Sequence, residues 1–154
     1  MPRLAVANAF GDYCLICPTI LFGEQLATHA AASKRFYAYR LMQAMSPIMP
    51  NAPKWLGAVH GSDSFYLFMG PMLRTPEEQQ LSHDLIAAIT NFARSGQPTA
   101  MGGVEWTEAI DRKHGGDSEK ATRYMSLHVK DYRMVAGHYV PTCNQFWSTR
   151  IVLQ

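Results

Sequence analysis

Trp55-Leu56-Gly57-Ala58-Val59-His60-Gly61-Ser62-Asp63 places one histidine between small residues, after a short apolar run and ahead of an acid. A catalytic imidazole is often presented this way. The glycines remove bulk beside the ring, and a loop leaving the end of a buried strand lets the ring project into a cleft. Alone, the pattern is weak, because a single histidine in a turn is more often solvated or structurally satisfied than a proton shuttle. The rest of the chain gives it meaning.

Downstream, Thr75-Pro76-Glu77-Glu78 supplies a capping hydroxyl, proline at the first helical position and acids where the helix macrodipole favours them. Leu81, Leu85, Ile89 and Phe92 recur at helical spacing, with Ile86 and Ala93 widening the stripe, until Gly96 and Pro98 end it. Upstream, Ser46 to Pro53 is too rich in proline for a helix or central strand and reads as a surface loop. Arg35 to Leu41 is aromatic and strand-like, and Thr19 to Ala32 is helix-compatible with Gly23 as a flaw. Met101-Gly102-Gly103 and Asp111 to Ser118 read as surface loops without the lysine and hydroxyl order of a phosphate loop. Tyr124 to Val129 alternates at period two, which predicts a final strand burying Met125, Leu127 and Val129. Cys143 to Gln154 reads as a short closing helix.

The 154 residues suffice for one buried core, and 47% hydrophobic with 17% charged residues is a globular composition. Fourteen basic against 12 acidic residues, with no basic run, mark no tract for a phosphate backbone or an anionic membrane face, so no nucleic-acid partner is expected. No apolar stretch reads as long enough to span a bilayer, and the apolar part of Met1 to Asn8 is too short for a secretory signal. The three cysteines support neither a four-ligand zinc site nor a thioredoxin-like pair, since Pro18 follows Cys14-Leu15-Ile16-Cys17 instead of lying within it. Two readings stay open on the residues alone: buried thiols, or a long-range bridge between Cys17 and Cys143.

The order of motifs resembles the C-terminal part of the type-B carboxylesterases, the group that includes the cholinesterases. Gly11-Asp12 with Ile16-Cys17-Pro18 comes first, then Trp55 to Asp63 around His60, then Phe65-Tyr66-Leu67-Phe68. Leu81-Ser82 leads to Asn91-Phe92-Ala93-Arg94-Ser95-Gly96-Gln97-Pro98, similar to the family's Phe-Ala-x-(Thr/Ser)-Gly-x-Pro, and Trp106 falls where a tryptophan usually follows. Cys143-Asn144-Gln145-Phe146-Trp147 resembles the closing Cys-x-x-Phe-Trp pattern, one residue longer than its shorter versions. Phe68-Met69-Gly70-Pro71 departs from the usual Phe-Gly-x-Pro, which implies an altered wall beside the histidine.

The resemblance implies an α/β fold, the C-terminal portion of an α/β-hydrolase with an incomplete sheet flanked by helices, residues 1–154 forming part of one carboxylesterase domain. It makes His60 the triad histidine of a serine carboxylic-ester hydrolase, the general acid and base that forms and then hydrolyses the acyl-enzyme. It implies a small-molecule carboxylic ester as the parent's substrate and no cofactor or metal. No Gly-x-Ser-x-Gly elbow surrounds any of the nine serines, so nucleophile, oxyanion loop and triad acid precede the part that this chain resembles. Asp63 reads as a support for the loop or a water, not as the acid. In the family a disulfide joins the Ile-Cys-Pro segment to the final Phe-Trp region, so the resemblance implies Cys17 bonded to Cys143, Cys14 free, and a secreted or lumenal parent. The alternative is a catalytically silent relative serving as an adhesion or binding module on the same fold. Against it, such a lineage has no chemical reason to keep an imidazole at position 60.

Overall fold

The computed structural model describes residues 2–29, 35–44, 53–68, 70–110, 122–137 and 139–150. The chain divides into two compact units: residues 1–37, 108–123 and 135–154 form one, and residues 38–107 and 124–134 the other. The proline-rich connection over 46–52 and the polar loop over 111–118 lie outside the described residues.

The second unit carries β1 (Tyr39–Leu41), α3 (Asp63–Phe68), α4 (Pro76–Ser95) and most of β2 (Arg123–His128) and β3 (Asp131–Ala136). The sheet runs β1-β2-β3, with Tyr39, Arg40 and Leu41 of β1 parallel to Met125, Ser126 and Leu127 of β2. Val129 and Lys130 alone link β2 to β3, a connection only antiparallel neighbours can make, so the sheet is mixed. As the central strand, β2 buries Met125, Ser126 and Leu127 in succession, and this overrides the expected alternation. Val129 lies in the turn, not on a buried strand face.

α4 begins and ends where its residues dictate. Thr75 Oγ1 accepts the Glu78 N–H at 3.1 Å, and the Glu78 carboxylate accepts the Thr75 N–H at 3.3 Å, a reciprocal capping box. Gly96 closes the helix at φ 73° and returns its N–H to the Phe92 carbonyl at 2.7 Å. The buried face is Glu78, Leu81, Ser82, Leu85 and Ala88. Complete burial of Leu81 and Leu85 contributes about 1.5–3 kcal/mol each. The stripe is narrower than the sequence suggests: at 100° per residue Ile86 turns away from Leu85, and Ala93 is likewise exposed. Phe92 lies on the stripe yet is exposed, in the last turn.

Met101 corrects another expectation, since it is fully buried. It exchanges backbone hydrogen bonds with Val104 across Gly102 and Gly103, whose φ values of 55° and 81° make a tight reversal in the manner of a type I′ hairpin turn. The glycines mark the turn and Met101 serves the core beneath it.

In the first unit α1 (Pro2–Gly11) continues through a π-helical stretch, Asp12–Ile16, into α2 (Cys17–His29). The chain closes with a π-helical stretch, Val140–Trp147, followed by a turn. Gly23 is no flaw in α2: the Phe36 ring lies where a β-carbon would project, so the bare backbone admits the ring. Glu24 accepts hydrogen bonds from Thr122 Oγ1 at 2.8 Å and Asn144 Nδ2 at 2.9 Å, joining three distant segments. Cys17 and Cys143, both fully buried, form a disulfide, while Cys14 is exposed and free. The expectation of no bilayer-length apolar stretch needs correction. The helix over Pro2–Ala27 reaches a mean hydropathy of 1.5 and is long enough to span, by length and composition alone. Core helices and leader segments meet the same measure, and the bonds of Cys17 and Glu24 tie this one into its unit.

Candidate active site

His60 projects from a turn in the second unit, and its ring is exposed. Among the described residues no strand leads into it, contrary to the sequence reading. Lys54–Leu56 form a single 3₁₀ turn, and Trp55 is exposed. The Ser62 N–H reaches the Val59 carbonyl at 3.1 Å, with His60 and Gly61 as the two central residues. Gly61 has φ 78° and Gly57 φ 60°, and a β-carbon on either would meet nothing within 4 Å. These glycines therefore supply backbone conformation, not space beside the ring. Ser62 is buried, and its Oγ donates to the Val59 carbonyl at 2.6 Å, which tightens the same turn.

Asp63 opens α3 immediately afterwards. Its Oδ1 accepts the Ser64 N–H at 3.1 Å and its Oδ2 accepts the Tyr39 hydroxyl at 2.7 Å. Asp63 is thus engaged by β1 and by its own helix, and the His60 imidazole has no hydrogen-bond partner among the described residues. Burial, then the Asp63 carboxylate, holds the Tyr39 phenol above its ordinary pKa of 10.0, so it remains a donor across the working range of an enzyme. The Tyr39 ring meets Trp106 edge-on at 6.0 Å between centroids, and the Trp106 indole N–H donates to the Ala38 carbonyl at 3.2 Å. At the other end of the turn's helix, buried Ser82 of α4 donates to the Tyr66 carbonyl of α3. The Tyr66 side chain is 1% exposed and its hydroxyl has no hydrogen-bond partner among the described residues; burial, then Glu78, pushes its pKa up.

The sequence thus locates the turn, His60 and Asp63, but misses Tyr39 and Ser82 as its anchors. Trp106 is visible only as a landmark. The cysteine pair belongs to the other unit. A hollow lined by Pro2, Arg3, Val6, Ala7 and Phe10 lies on α1, away in sequence from this chemistry. Phe68, in the segment where the sequence departs from the usual Phe-Gly-x-Pro, is 82% exposed, and Met69 lies outside the described residues.

The described residues join helices to a small mixed sheet, an α/β arrangement, with His60 exposed on a turn of the second unit. The profile of the carboxylesterase family matches residues 2–146, and the chain belongs to that family. It is 30% identical over 151 residues to acetylcholinesterase of Gallus gallus, covering 95% of this chain and 18% of that protein. It is 31% identical over 156 residues to carboxylesterase 3 of Pongo abelii, covering 94% of this chain and 25% of that protein. A third relative, bile salt-activated lipase of Mus musculus, is 36% identical over 91 residues, 56% of this chain and 15% of that protein. The chain therefore spans a quarter or less of the length of these relatives. Membership implies the α/β-hydrolase fold, ester hydrolysis as the family-level activity, and agrees with the helices and small mixed sheet described here.

Proposed function

We propose that this chain is the C-terminal part of a serine carboxylic-ester hydrolase and that His60 is its triad histidine. The observation that carries the reading is the imidazole itself: exposed, without a hydrogen-bond partner among the described residues, and held on a turn anchored through Asp63 where α3 begins. In that role the ring accepts the proton of the serine hydroxyl as the oxygen attacks an ester carbonyl, and delivers it to the departing alcohol. Water then opens the acyl-enzyme by the reverse sequence. Asp63 holds the turn. The nucleophile, the triad acid and the oxyanion donors belong to preceding sequence, as the family's motif order and the chain's share of its relatives both suggest. The Cys17–Cys143 bridge supports maturation of that parent in an oxidising compartment, secreted or lumenal.

The test has two arms. An immunoblot of source tissue under reducing conditions should give a band several times larger than this chain. The full-length protein should hydrolyse a chromogenic short-chain ester and lose at least about a thousandfold in kcat on His60→Gln. The 154-residue chain alone should show no histidine-dependent hydrolysis. A native band at the size of this chain, or a His60→Gln enzyme of full activity, defeats the reading and favours a binding module.

A further inference from the structure

We infer that Tyr39 is a positioning residue for His60, acting through its hydrogen bond to Asp63. The inference rests on the proposed role of His60. The His60 turn is joined at residue 63 to α3, and the side chain of that residue is tied to β1 by the Tyr39 hydroxyl at 2.7 Å. Tyr39 is itself fixed. Its backbone pairs with Met125 in the parallel ladder, its ring abuts Trp106, and Trp106 donates to the neighbouring Ala38 carbonyl. Ser82 restrains α3 one turn further on, at the Tyr66 carbonyl. His60 lies just ahead of both fixed points and has no hydrogen-bond partner among the described residues, so the turn's position is inherited from Asp63 and Tyr39. A catalytic base must sit within hydrogen-bond reach of the proton it takes, and a misplacement of about 1 Å costs up to about a hundredfold in rate. Asp63 contributes here as a hydrogen-bond acceptor; its charge is secondary, because the ring it positions is not its partner.

The experiment uses the full-length hydrolase, with kcat expressed per active site titrated by a covalent phosphonate ester, so that misfolded protein is not counted. Tyr39→Phe removes one hydroxyl and keeps the ring against Trp106. We expect kcat per site to fall about tenfold, with KM unchanged within about twofold. Asp63→Ala, which also releases the Ser64 N–H, should lose at least as much, and the double variant should lose no more than Asp63→Ala alone, because the two side chains act as one link. Asp63→Asn keeps an acceptor oxygen and should retain most of the activity. A Tyr39→Phe enzyme with unchanged kcat per site overturns the inference, as do losses that multiply in the double variant. His60→Gln, assayed alongside, separates the failures: an inactive His60→Gln with a normal Tyr39→Phe rejects this inference alone, whereas an active His60→Gln rejects the proposed function and with it this role.

Discussion

Reducing the Cys17–Cys143 bridge should remove a large share of the chain's stability, and the two-unit organisation sets how much. The bridge closes a loop with a sequence separation of 126 residues. If the whole chain unfolds at once, cross-linking over that separation is worth about 5 kcal/mol in the chain-entropy treatment. Both cysteines belong to the first unit, however, and the whole of the second unit's sequence lies within the loop. While the second unit stays folded, the free part of the loop shrinks to about 30 residues, and the bridge is worth about 3.6 kcal/mol to the first unit alone. Urea unfolding of oxidised and reduced chains, followed by circular dichroism, should therefore show a loss between these two values. A single shifted transition marks the larger figure. Two transitions, of which only one moves, mark the smaller. Cys14→Ser should move neither, since Cys14 is exposed and unbridged. A loss under about 1 kcal/mol on reduction, or a bridged peptide containing Cys14, would refute the argument.

Gly102→Ala should destabilise by about 2 kcal/mol or more, against about 1 kcal/mol for Gly103→Ala. At Gly102 a β-carbon would meet Tyr132 Cδ2 at 2.6 Å as well as carry φ 55°, and Tyr132 is held by its hydrogen bond to Asp84 at 2.9 Å. At Gly103 only the backbone conformation is at stake, so equal losses in urea unfolding would count against the reading. In an alkaline titration, Tyr39, Tyr66 and Tyr132 should ionise after the exposed phenols, because burial first, and then Asp63, Glu78 and Asp84 respectively, raise them above 10.0. The sign follows from linkage. An acid whose folded pKa is raised contributes its stability in full below the unfolded value of 10.0 and loses it as pH climbs towards the raised one. Phenolate absorbance and unfolding should rise together there, and a smooth titration of all seven tyrosines near pH 10.0 would contradict the burial argument.

What could be read from the sequence was what is decided within a few residues. The capping box at Thr75 and Glu78 and the αL stop at Gly96 are local hydrogen-bond problems with local solutions, so both ends of α4 are legible. The His60 turn is legible for the same reason, though the purpose of its glycines is not: open space around Gly57 and Gly61 shows that conformation, not crowding, selects them. Gly23 and Met101 are misread because their neighbours arrive from elsewhere in the chain, Phe36 against the one and the packed core against the other. Tyr39 is missed because its partner stands 24 residues away, and nothing in an aromatic strand pattern distinguishes a phenol that anchors a loop from one that fills a core.

The division of labour among the acids follows from this geometry. A triad acid orients the imidazole by accepting its Nδ1 proton, and so needs an oxygen free to face the ring. Asp63 has spent one oxygen on Tyr39 and the other on the Ser64 N–H at the start of α3. Moving it onto His60 would leave a part-buried Tyr39 hydroxyl without its acceptor, at a cost of about 1–3 kcal/mol, and would unfasten the turn it is meant to serve. On the proposed reading, then, the residue nearest to His60 in charge and sequence is the one least able to be its acid. In this proposal the acid comes from preceding sequence, and Asp63 has the task of keeping the ring where that acid and the serine can both reach it.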